Sequence, residues 1–227
     1  MKRIRRFGIF IVVLVIAVLC ISRVVKIPFE EFKNPGQLLK NIKHTVYAGE
    51  WNLVLVNKRN PIPSNWENQL TELSNGQYVD SRIYPALQQM FDDARAQGIY
   101  PVVGAGYRTE EKQQELMDEK IEAYKAEGKT DREAKKLAAQ WVAKPGTSEN
   151  QLVIAVDINA DTTLCTDEAV YNWLAQNAWN YGFILRYPSD KTDITGTIYE
   201  PWHYRYVGIE AAKSIQEQGV CLEEYLD

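Results

Sequence analysis

Two acidic residues and a histidine in the second half of the chain are of the types that bind metal ions and move protons. The segment GTSENQLVIAVDINAD, residues 146–161, contains an apolar run that predicts a strand, and this strand delivers Asp157. Further along, YEPWHYRYVG places Glu200 and His203 three positions apart. Side chains at this spacing converge only if the extended chain twists or bulges, as Pro201 would favour. Histidine binds zinc and a neighbouring glutamate can deprotonate water, so the set predicts most of a metal site.

Arg108 is a further candidate, because it directly follows the strand-ending sequence GAGY. A guanidinium there could hold a carboxylate or a developing oxyanion. The residues alone leave the ordinary alternatives open: a surface ion pair for Arg108 and a purely structural carboxylate for Asp157.

The elements that must position these side chains are predicted from apolar periodicity and turn residues. Short β-rich runs predict strands at NLVLV, IYPVVGAGYRT, LVIAVDI, FILRY and PWHYRYVG. Helical spacing predicts helices over 81–98, over 109–144 with a break near Gly128, over 166–182 and over 209–219. Because strands and helices alternate without regular strand–helix–strand repeats, we expect an α+β fold with a small, mostly antiparallel sheet and flanking helices.

The composition is that of an ordinary globular protein, with 45% hydrophobic and 25% charged residues among 227. This length can bury the core of one good-sized domain. The net charge of −4 gives no reason to expect a nucleic-acid partner.

The N-terminus has the pattern of an uncleaved membrane anchor. A basic cluster precedes an apolar run from Phe7 to Ile21, close to the roughly 20 residues that a spanning helix needs. No small-x-small cleavage site follows, and Leu19 is too large for a lipoprotein signal ending at Cys20. We therefore expect an anchor at 1–23, an extracytoplasmic stalk at 24–50 and a domain at 51–227, outside the cell by the positive-inside rule.

Two cysteines, Cys165 and Cys221, fall in the part expected to be exported, where a disulfide would persist. The sequence predicts that they pair, with Cα atoms within about 7 Å of each other. Two free buried thiols are the alternative.

Four segments, WNLVLVNKRNPIP, GAGYRTEEKQQEL, PGTSENQLVIAVDINAD and YEPWHYRYVG, occur in an order that resembles VanY-type D-alanyl-D-alanine carboxypeptidases. These are zinc peptidases that trim peptidoglycan stem peptides. The resemblance covers roughly Trp51 to Leu226. It implies the small α+β fold shared with the Hedgehog signalling domain, a zinc cofactor and a peptidoglycan stem peptide as the binding partner.

The resemblance also implies roles for individual residues. The family motif reads Ser-x-His-x-x-Gly-x-Ala-x-Asp, followed by Glu-x-x-His. Asp157 and His203 match zinc ligands, and Glu200 matches the catalytic base. Arg108 matches the arginine that stabilises the tetrahedral intermediate. Ser148 matches a residue that helps to hold the terminal carboxylate of the substrate.

Two positions depart from that motif: Asn150 stands in place of the ligand histidine, and Val153 in place of the glycine. An amide oxygen is neutral and suits calcium better than zinc. Neither Glu149 nor His44 is expected to replace the missing ligand. Glu149 would face away from the site if this segment is extended, and His44 belongs to the stalk. We therefore expect Asn150 to lie beside the other ligands and to leave zinc weakly bound.

The resulting expectation is a membrane-anchored zinc D,D-carboxypeptidase domain that releases the terminal D-alanine of stem peptides, with activity reduced by Asn150. Two alternatives stay open. One is a degenerate family member that binds cell-wall peptide or a protein partner without cleaving it. The other is an L,D-carboxypeptidase that acts on shorter stems.

Overall fold

The computed structural model describes residues 50–227. The predicted anchor at 1–23 and the predicted stalk up to residue 49 lie outside the described residues. Within the part that is described, no helix combines the length and apolarity needed to cross a membrane.

The described chain contains six strands and eight α-helices, numbered here in chain order. The strands are β1 (Leu70–Glu72), β2 (Tyr78–Asp80), β3 (Pro101–Ala105), β4 (Ala155–Ala160), β5 (Phe183–Leu185) and β6 (His203–Tyr206). The helices are α1 (Tyr84–Ala96), α2 (Glu110–Ala126), α3 (Asp131–Ala138), α4 (Glu149–Leu152), α5 (Asp167–Asn177), α6 (Thr192–Thr195), α7 (Ile209–Gln218) and α8 (Leu222–Leu226). Short 3-10 helices lie at Trp51–Leu53 and Ala178–Tyr181.

Four strands form the main sheet in the order β3-β4-β6-β5, and every neighbouring pair is antiparallel. Strands β1 and β2 form a separate antiparallel hairpin. The architecture confirms the predicted α+β class and the antiparallel sheet.

The two faces of strand β4 have different roles. Val156 and Ile158 point into the larger core cluster, which α1 and α5 cover with residues such as Met90 and Leu174. Asp157 lies between those two apolar residues, so its side chain points to the opposite face of the sheet. The period-2 alternation therefore places one face of β4 in the core and the other in the candidate site.

Glycine allows the hairpin to approach the end of β3 closely. A Cβ at Gly106 would collide with the carbonyl oxygen of Tyr78 in β2. The same carbonyl accepts a hydrogen bond from Tyr107 N–H at 2.7 Å. This contact fixes the chain just before Arg108.

Several local predictions are confirmed. Helix α1 buries Leu87, Met90, Phe91 and Ala94, as its spacing indicates. The long helical stretch is divided into α2 and α3 around Gly128, whose φ is +85°. Thr166 caps α5 by accepting a hydrogen bond from Ala169 N–H.

The predicted strand at NLVLV is wrong. Trp51–Leu53 forms a 3-10 helix, and the residues that follow join no sheet. The side chain of Val56 is still buried and those of Val54 and Leu55 are partly buried. The backbone carbonyls of Asn52 and Val54 accept hydrogen bonds from Arg205 Nη2 at 3.1 and 2.8 Å. An arginine therefore supplies the partners that a neighbouring strand would have supplied.

The strand predicted at LVIAVDI forms but begins later, at Ala155, and the extended segment on which the expected orientation of Glu149 depended does not form. Residues 149–152 form helix α4, and the chain turns into β4 through Val153, whose φ is +66°. The hairpin β1–β2, α6 and α8 were not predicted.

The predicted disulfide is wrong, because Cys165 and Cys221 are both free thiols. Each cysteine has a local role instead. The sulfur of Cys165 accepts a hydrogen bond from Tyr100 N–H at 3.3 Å. Cys221 is the N-cap of α8, and its N–H donates to Glu224 Oε2 at 2.8 Å.

Candidate active site

Strands β4 and β6 place Asp157 and His203 directly opposite each other in the antiparallel register. Side chains of such a pair lie on the same face of the sheet and within contact distance. The imidazole Nδ1 of His203 lies 2.7 Å from Asp157 Oδ1. The ladder therefore assembles these two candidate ligands, although they are distant in sequence.

A tight turn before β6 adds Glu200 to the pair. The N–H of His203 donates to the carbonyl of Glu200 at 3.1 Å, which closes a turn through Pro201 and Trp202. The Glu200 carboxylate lies 4.0 Å from His203 Nδ1. The expectation that the chain must bend between Glu200 and His203 is confirmed.

Arg108 reaches the same point from the end of β3. Its backbone N–H donates to the carbonyl of Asn150 at 3.2 Å, which ties it to helix α4. Its guanidinium Nη2 donates to Asp157 Oδ2. Arg108 is therefore in the site, and the alternative of a surface ion pair is wrong.

Helix α4 contributes Ser148 and Asn150, both of which are buried. Ser148 is the N-cap of α4, but its side chain makes no capping hydrogen bond and lines the cleft. The amide nitrogen of Asn150 donates to the carbonyl of Gly106 at 3.3 Å. Asn150 and Asp157 line the same cleft, and the Asn150 amide is near enough to help lower the pKa of the Asp157 carboxyl group, so the prediction that Asn150 projects beside Asp157 is confirmed.

These six residues line one cleft of about 240 Å³. The outer wall is formed by α2 and the segment after α3, including Lys120 and Trp141. The Lys120 ammonium lies 4.4 Å from the centre of the Trp141 ring. The cleft is large enough for the end of a peptide, and its lining includes three acidic residues besides Arg108, Lys120 and His203.

Burial and mutual contact shift the pKa values of the charged groups. Burial opposes the charged form of His203, but the hydrogen bond to Asp157 and the nearby Glu149 carboxylate outweigh it and raise the pKa of His203 to about 9. Burial raises the pKa of Glu200 to about 7, even though His203 favours its ionised form. Burial also opposes ionisation of Asp157, but His203 and Arg108 together hold its pKa below the usual value. A carboxyl group with a pKa near neutrality is suited to accept and return a proton.

Glu149 belongs to the site, although the sequence analysis expected its side chain to face away from it. Because residues 149–152 are helical, its side chain points inward and is fully buried. One carboxylate oxygen accepts hydrogen bonds from Arg186 Nε at 2.8 Å and Arg205 Nη1 at 2.9 Å. The other lies 3.6 Å from His203 Nε2. The only sequence signal for the two arginines is their position in the apolar strands FILRY and PWHYRYVG.

The donor set fits a divalent metal ion at two of three positions. Asp157 offers a carboxylate oxygen and His203 an imidazole nitrogen, which are common zinc ligands. The third position belongs to Asn150, whose amide acts as a hydrogen-bond donor. Accordingly, residues 50–227 contain no group of three histidine, cysteine or acidic side chains placed to hold a metal.

Comparison with known proteins assigns the family. The family model described as VanY, D-alanyl-D-alanine carboxypeptidase, matches residues 76–209. The chain belongs to the VanY family of D-alanyl-D-alanine carboxypeptidases. The match contains Arg108, Ser148, Asp157, Glu200 and His203, so the cleft lies inside the family domain.

Individual relatives agree with the VanY assignment. A D-alanyl-D-alanine carboxypeptidase of Enterococcus faecalis is 61% identical over 178 residues, which are 78% of this chain and 66% of the relative. The crystal structure of a mutant of the vancomycin-resistance D,D-pentapeptidase VanY, in complex with Zn(II), matches with a TM-score of 0.77 and 61% identity. The match covers 78% of this chain and 100% of the chain in that crystal structure. VanYB in complex with D-alanine-D-alanine has the same TM-score and identity, and covers 78% of this chain and 98% of that chain.

Proposed function

We propose that this VanY-family domain is a zinc-dependent D,D-carboxypeptidase that releases the terminal D-alanine from peptidoglycan stem peptides, with activity attenuated by Asn150. The observation that carries the proposal is the convergence of Asp157, His203, Glu200 and Arg108 in one cleft. The relatives support the choice of metal and substrate, since one similar structure contains Zn(II) and another contains D-alanine-D-alanine.

In this proposal Asp157 and His203 hold the metal, and Asn150 is at most a weak neutral ligand. A bound zinc ion would supply a Lewis acid that polarises the scissile carbonyl and acidifies water. Glu200 accepts the proton of the attacking water at its carboxylate and returns it to the leaving amine. Its pKa of about 7 allows both transfers near neutral pH.

The remaining polar groups orient the peptide and stabilise charge. Arg108 turns its guanidinium from Asp157 toward the developing oxyanion, where a charge-assisted hydrogen bond is strongest. The hydroxyl of Ser148, which is not used to cap α4, is available for the terminal carboxylate of the substrate. The proposal thus assigns a task to each polar residue carried over from the family motif.

A second candidate function is peptide binding without cleavage. It is favoured by one observation: the Asn150 amide donates a hydrogen bond to the carbonyl of Gly106 at the position where the family motif has a histidine ligand. In such a cleft Arg108 and Ser148 would still bind the peptide, but no metal ion would be bound. We rank this second because Asp157, Glu200 and His203 remain together.

We further propose that the domain works outside the cell, close to the membrane. The basis is the basic and apolar pattern of residues 1–23, which lie outside the described part. An extracytoplasmic location would bring the cleft to the peptidoglycan. Mass spectrometry of the native protein tests this, and a mature N-terminus beyond residue 20 would contradict it.

The proposed reaction is tested with the full chain and a pentapeptide that ends in D-alanyl-D-alanine. In zinc-containing buffer we expect slow release of free D-alanine, and no release by the Glu200→Gln variant. Calorimetry with the same peptide separates the two candidate functions. Peptide binding with no release above that of Glu200→Gln would favour the binding function, and neither binding nor release would contradict both.

A further inference from the structure

Two buried polar atoms in the described chain face each other without any other hydrogen-bond partner. They are Oε2 of Glu149 and Nε2 of His203, and they lie 3.6 Å apart. A normal N–H···O bond is about 2.7–3.2 Å long, so a shift of a few tenths of an ångström would close one here. A buried polar atom left without a partner is costly, so each atom favours the other as its partner.

The Glu149 carboxylate is held so that this oxygen must point at the imidazole. Arg186 and Arg205 both donate to Oε1, and all three side chains are completely buried. Arg186 is fixed in turn by two further hydrogen bonds to Glu223, at 2.7 and 2.8 Å. With Oε1 occupied by two arginines, Oε2 is left for His203.

The imidazole ring of His203 is fixed on its other side as well. Its Nδ1 lies 2.7 Å from Asp157 Oδ1, and its face packs against Tyr187 with ring centres 5.0 Å apart. If a carboxylate keeps the proton on Nε2, the proton that leaves on metal binding is the one on Nδ1, and the lone pair of Nδ1 then serves the metal ion.

We propose that Glu149 is a positioning residue for His203, whose free carboxylate oxygen accepts the Nε2–H and thereby presents Nδ1 to Asp157 and the metal position. The use of that nitrogen by a metal rests on the proposed function. The contact between Glu149 and His203 does not, because it is a property of the protein without metal.

The contact is tested by NMR on the full chain labelled with 15N-histidine. The chain contains two histidines, so the His44→Gln variant identifies the signals of His203. In metal-free wild-type protein we expect a slowly exchanging Nε2–H signal from His203. Glu149→Gln should lose this signal, because the arginines take the amide oxygen and leave an NH2 group facing the ring.

The matched control is Glu223→Gln, which also removes a carboxylate from Arg186 but not one that faces His203. This variant should keep the Nε2–H signal. Glu149→Asp retains the charge with a shorter side chain, and it should fold and lose the signal even if Glu149→Gln does not fold. Absence of the signal in the wild type, or its persistence in Glu149→Asp, would overturn the proposal.

Zinc titration monitored by the same His203 signals gives a second readout. We expect Glu149→Gln or Glu149→Asp to bind zinc about 10–100-fold more weakly than Glu223→Gln, as is typical when the partner of a ligand histidine is lost. Equal affinities would contradict the positioning role. If the Nε2–H signal behaves as expected but no D-alanine is released, the proposed reaction fails and the Glu149 contact stands.

Discussion

Val153 is held in a backbone conformation that its side chain disfavours. Its φ of +66° and ψ of 6° lie in the left-handed region, and the other described residues with positive φ are all glycines. This conformation costs an L-residue about 1–2 kcal/mol. The position is nevertheless defined by its surroundings, because the side chain is fully buried and the carbonyl accepts a hydrogen bond from Asp80 N–H at 3.0 Å.

The strain can be measured by comparing glycine with alanine at this position. Glycine relieves about 1–2 kcal/mol of strain. It also loses about 0.5–1 kcal/mol through the entropy of the unfolded chain and about 0.8 kcal/mol through one buried methyl group. We therefore expect Val153→Gly and Val153→Ala to have free energies of unfolding within about 0.8 kcal/mol of each other. Both should be less stable than the wild type, because both remove buried apolar volume.

Val156 is the matched control, since it is an equally buried valine in β4 with an ordinary extended backbone. There glycine should be less stable than alanine by about 1.3–1.8 kcal/mol, because no strain is relieved. Urea unfolding followed by tryptophan fluorescence gives all four free energies. If the difference between glycine and alanine is the same at Val153 and Val156, the left-handed turn stores no strain and this reasoning is refuted.

Three further predictions concern the buried charges and the thiols. In the metal-free protein, the raised pKa of His203 contributes about 3 kcal/mol of stability, which is fully present below pH 6.5 and lost as the pH rises through about 9. The urea concentration at the unfolding midpoint should therefore decrease as the pH is raised from 7 to 10, and a constant midpoint would contradict this. Arg205→Met should destabilise the protein by about 3–5 kcal/mol, because it removes a partner of the buried Glu149 and the donor to three backbone carbonyls. A loss under 1 kcal/mol in urea unfolding would show that the network is replaceable. Cys165 and Cys221 should both react with a thiol reagent in denatured, unreduced protein. If neither reacts, the two cysteines form a disulfide after all.

The elements that could be predicted from the sequence are those with strong local signals. Thr166 is the N-cap of helix α5, and Gly182, with a φ of +84°, is the C-cap of the 3-10 helix that follows. Both features depend on side-chain and backbone chemistry within a few residues. The residue types of Asp157 and His203 indicate a metal site, but their pairing as ligands was implied only by the family resemblance, because the pairing of β4 with β6 is not encoded locally.

The features that were missed depend on tertiary contacts. Four residues at 149–152 are too few for periodicity to separate a helix from a strand, and this ambiguity put Glu149 on the wrong side. Arg186 and Arg205 look like solvent-facing residues of half-buried strands. Both are buried because they neutralise Glu149 and, for Arg205, bind carbonyls of an unpaired segment. No local pattern specifies such a network.

The measurement that tests the central claim most directly compares the natural protein with Asn150→His. Zinc is titrated into both full-length proteins, and release of D-alanine from a pentapeptide ending in D-alanyl-D-alanine is assayed under the same conditions. Since loss of a ligand's partner alone costs about 10–100-fold in affinity, the missing histidine should cost more, and Asn150→His should bind zinc over 100-fold more tightly and release D-alanine faster. If the natural protein binds zinc as tightly as Asn150→His and turns over at a comparable rate, the Asn150 amide is a working ligand and the account of an attenuated site is wrong.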